Sequence, residues 1–284
     1  MSIRIAILGD IVGTPGRQAL TQCMPALREQ YQPHLVIANA ENAANGSGLT
    51  PDLYKKICDA GVDAITLGDH VYKKKQIVST LEQESNIIRP ANLSPKAVGK
   101  PWMRLRIAQP GGNGPSVYVL TVLGRLFMNL PVNDPFATVD QILSQLPEKD
   151  PLVIVEVHAE ATSEKKALGW HLNGRAAVVF GSHTHVPTAD ETILPPNIPH
   201  NARGGTAYIT DIGMTGPQYS ILGRRVDRVL THMTTSMPSP FDVAEEKPTV
   251  QGILVELSAA ARQALHIQRI QFEADVTKPP FAQP

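Results

Sequence analysis

The stretch VVFGSHTHVPTAD at residues 178–190 joins an apolar run to a pair of histidines. A glycine and a serine follow the apolar residues 178–180, and His183 and His185 then stand two positions apart. In an extended backbone, residues i and i+2 point to the same side, so we expect both imidazoles to leave the end of a strand in one direction. Because an H-x-H pair is also common in polar loops, a metal site here needs matching ligands elsewhere in the chain.

The rest of the sequence alternates short β-branched runs with amphipathic stretches. The pattern predicts strands at residues 3–8, 35–38, 64–67, 117–122, 152–157 and 178–180, and helices at residues 17–31, 51–60, 73–84 and 139–146. Pro25 lies inside the first helix and predicts a break or a late start there. Beyond residue 205 strands prevail, at 206–210, 252–257 and 265–272, which indicates either a second sheet or antiparallel additions to the first. The alternation indicates an α/β fold.

Side chains that can bind metals follow five of the predicted strands. They are Asp10, then Glu41 and Asn42 in NAEN, Asp69 and His70 in GDH, His158 in HAEAT, and the pair His183 and His185. In open α/β sheets, ligands bind in the crevice outside the carboxyl ends of the strands. Each residue alone has an ordinary explanation, such as a helix cap for Asp10 or a core histidine for His158. Their recurrence at five strand ends favours a shared metal site over coincidence.

The number and type of these ligands favour two metal ions over one. Mixed oxygen and nitrogen donors exceed what one tetrahedral zinc needs, and they suit two divalent ions bridged by a carboxylate, with Fe, Mn, Mg or Zn as candidates. Two ions about 3.5–4 Å apart are the usual arrangement for displacement at phosphorus. The sequence has no G-x-G-x-x-G or G-K-[ST] phosphate loop and no G-x-S-x-G nucleophile elbow. The residues therefore favour metal-dependent chemistry on phosphate esters.

These motifs resemble those of a known family. The order GD, NAEN, GDH, HAEAT, GSHTH and TDIGMTG resembles bacterial calcineurin-like metallophosphoesterases of the 2′,3′-cyclic-nucleotide 2′-phosphodiesterase type, from Ile5 to about Phe272. The resemblance implies a four-layer α/β/β/α sandwich with a dinuclear metal site on loops at the carboxyl ends of the strands. We expect a single domain over residues 1–276 and a flexible tail at 277–284.

The resemblance also implies a role for each site residue. One metal ion would be bound by Asp10, Glu41, Asn42 and His185, and Glu41 would bridge to a second ion bound by Asp69, His158 and His183. A hydroxide held between the ions would attack phosphorus, and His70 would protonate the leaving oxygen or hold the phosphate. The sequence identifies no residue that binds the rest of the substrate.

The chain departs from the family pattern at Asp69, where family members usually carry asparagine. A third carboxylate should tighten metal binding and raise the pH optimum, unless Asp69 swings away and leaves the second site weak. A further difference is the stretch PPNIPHNARGG at residues 195–205, which looks longer than the family's loop and could gate the site or form a subunit contact.

The expected activity is hydrolysis of small phosphodiesters, nucleotide-type diesters included, by a cytoplasmic enzyme. With 26 basic and 26 acidic residues the formal net charge is zero, which gives no electrostatic case for duplex nucleic acid as a partner. No apolar stretch approaches a membrane-spanning length. The sequence is compatible with a homo-oligomer. Two alternatives remain: a phosphomonoesterase or nucleotidase with the same site, and a metal-binding regulatory protein with little turnover.

Overall fold

Two β-sheets form the frame of the protein. The computed structural model describes residues 2–108, 114–148, 151–196 and 204–275. The first sheet contains β1 (Ser2–Leu8), β2 (Asp10–Ile11), β3 (Leu35–Asn39), β4 (Ala64–Thr66), β11 (Met214–Pro217), β12 (Pro248–Ser258) and β13 (Gln263–Glu273). The strand β1 pairs in parallel with β3 and antiparallel with β12. The predicted strands beyond residue 250 are therefore antiparallel additions to the first sheet.

The second sheet is mostly parallel. It contains β5 (Trp102–Arg106), β6 (Ser116–Leu123), β7 (Leu152–His158), β8 (Val178–Ser182), β10 (Ala207–Ile209) and β9 (Thr192–Ile193), in that spatial order. The strands β6, β7, β8 and β10 run parallel, and β5 and β9 are antiparallel at the edges. The parallel strands therefore end at one edge of the sheet.

Helices connect most of the parallel strands. Within the described residues they are α1 (Gly13–Tyr31), α2 (Pro51–Asp59), α3 (Ile77–Gln83), α4 (Pro135–Gln145), α5 (Thr162–Leu172) and α6 (Val226–Thr235). The helices α5 and α6 were not predicted from the sequence. In α5 the buried positions include Lys165 and Gly169, so the helix lacks a clear apolar period.

Three clusters of buried apolar side chains hold these elements together. Alternate residues of β1 point to opposite faces of the first sheet, as Ile5 and Ala6 do. Ile5 belongs to a cluster shared with the second sheet, which includes Val119. Ala6 belongs to a cluster with the helices α1 to α3, and a third cluster joins the other face of the second sheet to α4 and α5. The predicted mixed α/β fold is confirmed.

The break predicted at Pro25 is wrong. Helix α1 runs without interruption from Gly13 to Tyr31, with Pro25 exposed on its outer side. A proline inside a helix removes one backbone hydrogen bond at a cost of about 3 kcal/mol. Buried side chains on both sides of Pro25, among them Leu20 and Leu27, hold the helix on the first sheet and offset that cost.

Several predictions concern segments outside the described residues. The tail at 277–284 and the greater part of the 195–205 stretch lie there, so both remain predictions. The single domain over residues 1–276 also remains a prediction. Among the described residues, no helix is long and apolar enough to cross a membrane.

Candidate metal centre

The residues predicted to form the site lie where the strands of the two sheets end. The first sheet supplies oxygen and amide groups: Asp10 lies in β2, Glu41 and Asn42 follow β3, and Asp69 follows β4. The second sheet supplies imidazoles from the ends of β7 and β8. Because the two sheets share one apolar cluster, these two sets of strand ends meet at a common edge.

A dense cluster forms around His158, the last residue of β7. Its Nε2 lies 3.3 Å from Glu41 Oε1 and 3.1 Å from Asp69 Oδ1. The Nδ1 atom of His183 lies 3.1 Å from the same Nε2 and 3.4 Å from Asp69 Oδ1. One ligand atom from each of these four residues lies within 4.8 Å of the others, a spacing that can hold a metal ion. Asp69 therefore faces the histidines and does not swing away.

A sparser group lies beside the dense cluster and is formed by Asp10, Asn42 and His185. His185 Nε2 lies 3.1 Å from Asp10 Oδ2 and 3.2 Å from Asn42 Nδ2. The Asn42 amide also donates to Glu41 Oε1 at 3.3 Å, which links this group to the dense cluster. Glu41 thus lies between the two groups.

His70 is held beside both groups by two hydrogen bonds. Its backbone N–H donates to Glu41 Oε2 at 2.8 Å, and its Nδ1 lies 2.7 Å from Asn42 Oδ1. Because an amide oxygen only accepts, His70 Nδ1 carries the proton of that bond. The Nε2 atom of the half-buried ring is therefore left to face the site, 3.8 Å from Asp69 Oδ2.

In His158 and His185, a hydrogen bond to the ring nitrogen on the far side determines which nitrogen faces the site. His158 Nδ1 lies 2.8 Å from Ser182 Oγ, and Ser182 donates its hydroxyl proton to Glu156 Oε1 at 2.6 Å. Ser182 must therefore accept from His158 Nδ1–H, which directs Nε2 to the site. His185 Nδ1 likewise donates to the carbonyl of Leu222 at 3.1 Å. Such bonds select the tautomer that can bind a metal through Nε2.

Glu156 is fully buried and serves as the acceptor behind the cluster. It also accepts from Asn39 Nδ2 at 2.7 Å and from Thr121 Oγ1 at 2.9 Å. Glu156 also lies within ligand spacing of Asp10 and His158. Since its oxygens are engaged by three donors, we interpret it as support for the His158 ring.

The backbone of the two histidines differs from the predicted extended form. Strand β8 ends at Ser182, and His183 and His185 have φ angles of 87° and 60°, in the left-handed region. The two rings therefore do not leave a strand in one direction, and each contacts a different group. Non-glycine residues in this region cost about 1–3 kcal/mol each and persist where surrounding contacts hold them.

A buried ion pair supplies those contacts for the loop of residues 183–185. Lys165 Nζ lies 2.8 Å from Asp211 Oδ2 and donates to Thr184 Oγ1 at 3.0 Å. Asp211 Oδ2 also accepts from the Thr184 hydroxyl at 2.6 Å and from its backbone N–H at 3.3 Å. Thr184, the residue between the two histidines, is thus bound from two sides.

The carboxylates and histidines of the dense cluster shift each other's pKa values. Burial alone would lower the pKa of His158, but the charge of Glu41 and the hydrogen bond with Asp69 raise it well above its ordinary value. Burial alone would raise the pKa of Asp69, but hydrogen bonds with His158 and His183 outweigh it and lower the pKa. The cluster therefore attracts positive charge, and a metal cation can replace the proton.

The donor set fits a divalent metal ion. Asp10 Oδ1 is buried and has no hydrogen-bond partner among the residues that the structure describes. An unpaired buried carboxylate oxygen is costly, and a cation removes that cost. Carboxylate, amide and imidazole donors without a thiolate suit the borderline and hard divalent ions.

Gly68 makes room for the cluster. A methyl group at this position would overlap His158 Nε2 and Glu41 Oε2. The glycine that precedes Asp69 is therefore required by the approach of ligands from both sheets.

Two further side chains that could bind a phosphate or a metal, those of Arg89 and His171, are bound to other groups. Arg89 in RPAN is buried and donates to the backbone carbonyls of Pro90 and Ala97. His171 lies on α5 and contacts Asp140 of α4 at 2.9 Å. None of these partners is a residue of the candidate centre.

The chain matches one protein family over nearly its whole length. A family model described as "YmdB-like protein" matches residues 6–270. A Bacillus subtilis (strain 168) protein named 2′,3′-cyclic-nucleotide 2′-phosphodiesterase is 41% identical over 273 residues, covering 96% of this chain and 98% of that protein. These matches confirm the resemblance predicted from the motifs.

Two solved structures are similar to this one. A Thermus thermophilus protein described as hypothetical has a TM-score of 0.85 and 40% identity, covering 96% of this chain and 100% of that chain. A Mycoplasma pneumoniae protein described as a novel phosphatase has a TM-score of 0.86 and 28% identity, covering 99% and 98%. Both therefore cover nearly the whole fold.

Proposed function

The chain belongs to the YmdB-like family, and from this premise we propose that it is a metal-dependent phosphodiesterase that acts on nucleotide-type diesters. The observation that carries the proposal is the meeting of three carboxylates, one amide and four imidazoles at the shared edge of two sheets. The Bacillus subtilis relative, named for 2′,3′-cyclic nucleotides, gives the substrate class.

The centre would hold two divalent ions. Asp10, Asn42 and His185 would bind the first, and Asp69, His158 and His183 the second, with Glu41 between them. Ions of this kind supply an activated water near neutral pH and neutralise charge on the phosphate. The dense cluster and the unpaired oxygen of Asp10 support two positions over one.

The side-chain amide of Asn42 must rotate by half a turn before its oxygen can bind the first ion. Its oxygen now accepts from His70, and its nitrogen faces His185. Turning the amide would present the oxygen to the first ion and the N–H₂ group to His70. His70 Nδ1 would then accept, and Nε2 would carry the ring proton.

His70 would act as the proton donor in the reaction. Its backbone bond to Glu41 fixes the position of the ring, and its Nε2 faces the cluster. With the proton on Nε2, the ring can donate to the leaving oxygen or hold a phosphate oxygen as charge develops. The half-buried position leaves room for a substrate to reach it.

We also propose the four-layer α/β/β/α arrangement for the fold. The apolar cluster between the sheets and the two clusters beneath the helices on their other faces support it. In this arrangement the centre lies at one edge of the two inner layers.

A phosphomonoesterase with the same site is the second candidate. The Mycoplasma pneumoniae relative is described as a phosphatase, and monoesters and diesters need the same ligands. The relative rates on the two ester types separate these functions.

The test is hydrolysis of bis-p-nitrophenyl phosphate and p-nitrophenyl phosphate by metal-stripped protein, with and without Mn²⁺. The substitution His183→Ala removes a nitrogen from the dense cluster, and His171→Ala removes an imidazole that contacts Asp140, outside the cluster. We expect Mn²⁺-dependent turnover of the diester that is lost in His183→Ala and kept in His171→Ala.

Two results would change the conclusion. Faster turnover of the monoester would favour the phosphatase. No turnover of either ester, with Mn²⁺ still bound, would favour a regulatory protein.

A further inference from the structure

Phe127 is the most exposed large apolar side chain among the residues that the structure describes. It is 84% exposed, and its φ of 64° lies in the left-handed region. An exposed aromatic ring gains nothing from burial, and a left-handed backbone adds a cost to a bulky residue. Such a cost is typical of a residue that meets a ligand.

The loop that carries Phe127 begins beside the candidate centre. Leu123, the last residue of β6, pairs with His158 in the second sheet. The next residue, Gly124, donates its N–H to the carbonyl of His158 at 3.0 Å. Three residues span at most about 11 Å of extended chain, so Phe127 lies within one nucleotide's length of this point.

Both neighbours of Phe127 are anchored. The backbone N–H of Leu126 donates to Glu164 Oε2 at 3.0 Å, at the start of α5. Met128 packs against the apolar cluster between the first sheet and helices α1 to α3, to which Leu123 also belongs. Phe127 therefore lies between two anchored neighbours in a loop that starts beside His158.

The same loop lines a pocket that can hold part of a ligand. The pocket has a volume of about 480 Å³, and its walls are Ser94, Arg125, Leu130, Pro131, Val132 and Asn133. Pockets of about 300–1,000 Å³ accommodate small molecules. The loop that carries Phe127 thus also contributes to the wall of a pocket, through Arg125 and Leu130.

We propose that Phe127 binds the base of the substrate by stacking on it. The proposal rests on the function given above, because the phosphodiester must lie at the candidate metal centre. A nucleobase attached through its ribose would extend from the centre towards the loop, where an unpartnered aromatic face is available. Stacking is tolerant of base identity because every base has a π-face, so Phe127 selects nucleotides over diesters that lack a base.

The first test compares 2′,3′-cyclic AMP with glycerol 1,2-cyclic phosphate, which has the same cyclic diester and no base. Stacking on one base is worth about 1–3 kcal/mol, so Phe127→Ala should lower the ratio of kcat/KM for the two substrates about five- to 150-fold. The change should appear in KM for cyclic AMP, since stacking holds the ground state and the transition state alike. Phe127→Tyr should restore the ratio, and Leu126→Ala, at the 49% exposed neighbour, should keep it.

A second test needs no turnover. In Phe127→Trp, 3′-AMP should quench the fluorescence of the new indole and glycerol 3-phosphate should not, and Leu126→Trp should respond to neither. An unchanged substrate ratio in Phe127→Ala, or equal quenching at both positions, overturns the proposal. If neither cyclic diester is hydrolysed while 3′-AMP still quenches only at position 127, the proposed reaction fails and the base site stands.

Discussion

The two sheets contribute different chemistry to the same edge. The first sheet brings the three carboxylates, the amide and the ring of His70, and the second brings the imidazoles of His158, His183 and His185. Neither set alone is a metal site: oxygens without the histidines form an acidic edge, and the histidines without the carboxylates lack counter-charges. The centre therefore depends on the packing of one sheet against the other.

The two contributions are also supported differently. The imidazoles are backed by buried polar groups, with Ser182 and Glu156 behind His158. Glu156 in turn accepts from Asn39, a residue of the first sheet. The hydrogen bonds behind the centre thus cross between the sheets, and changes at this boundary should have larger effects than changes within either sheet.

The largest effect is expected for Gly68→Ala. The added methyl group would overlap Glu41 from the first sheet and His158 from the second, so both must move apart. We expect at least about a thousandfold loss of kcat/KM on bis-p-nitrophenyl phosphate, equal to about 4 kcal/mol, together with weaker Mn²⁺ binding.

Gly61→Ala is the matched control for that substitution. Gly61 has a φ of 102° and lies against Met24, away from the centre. It should lower the thermal midpoint and leave kcat/KM within twofold. Equal losses of activity in both variants would mean that Gly68 acts only through stability.

Removal of the ion pair beneath the histidine loop should have the next largest effect. Lys165 and Asp211 are each only 1% exposed, so Lys165→Met leaves a carboxylate buried without its partner. Such a loss costs about 3–5 kcal/mol. We expect the thermal midpoint to fall by roughly 10 °C, and Mn²⁺ binding to weaken because Thr184 loses a donor.

The neighbouring lysine separates this effect from a general loss of charge. Lys166 is exposed and pairs with Asp190 at 3.2 Å, so Lys166→Met should cost at most about 1 kcal/mol. In the double variant Lys165→Met/Asp211→Asn the buried charge is gone, and part of the stability should return. A double variant no more stable than the single would contradict the ion-pair explanation.

A smaller effect is expected for the loss of Ser182, because its hydroxyl holds only the ring of His158. Ser182→Ala removes the group that accepts from His158 Nδ1, so the ring is no longer held in one tautomer. Loss of such support typically reduces metal affinity or activity about 10–100-fold. Mn²⁺ titration followed by calorimetry measures it, and Thr121→Val, which loses a bond to Glu156 only, should change the affinity less. The reverse order would show that the charge of Glu156 matters more than the bond to His158.

The positions of the site residues could be predicted because they follow from strand order. Apolar runs identify strands, and parallel strands bring their carboxyl ends to one edge, so a polar residue after each run is a candidate ligand. The structure brings Asp10, Glu41, His158 and the rest of the predicted residues together at that edge.

The supporting residues could not be predicted in the same way. Glu156 lies in an apolar strand, two positions before His158, and a carboxylate inside a buried strand was the one signal that could have identified it. The left-handed backbone of His183 and His185 depends on Lys165 and Asp211, which lie far apart in the sequence and meet only in the folded protein. Contacts of this kind leave no periodic pattern in a single sequence.

The smallest effect is expected for Asp69→Asn, which replaces the third carboxylate of the centre with a neutral amide of nearly the same shape. Hydrogen bonds with His158 and His183 hold the pKa of Asp69 below its usual range, so its side chain is charged throughout the pH range of an activity assay. The substitution therefore removes one negative charge while it keeps an oxygen in nearly the same place. A charge about 4 Å away is worth on the order of 4 kcal/mol at an effective dielectric of 20, before screening reduces it.

The sign of the change follows from that charge. With one negative charge fewer, cations are held less tightly, and we expect Mn²⁺ affinity to fall about tenfold. A group that must lose a proton for activity does so more easily in the less negative site, so the rising limb of the pH–rate profile should move to lower pH by up to about one unit. Both shifts should be absent in Asp190→Asn, which removes a carboxylate bound to Thr188 and Thr210 outside the cluster. Suppose instead that Asp69→Asn binds Mn²⁺ as tightly as the unchanged protein and keeps its pH profile. Only the position of the side-chain oxygen at residue 69 then matters, and the extra charge of Asp69 has no effect on the centre.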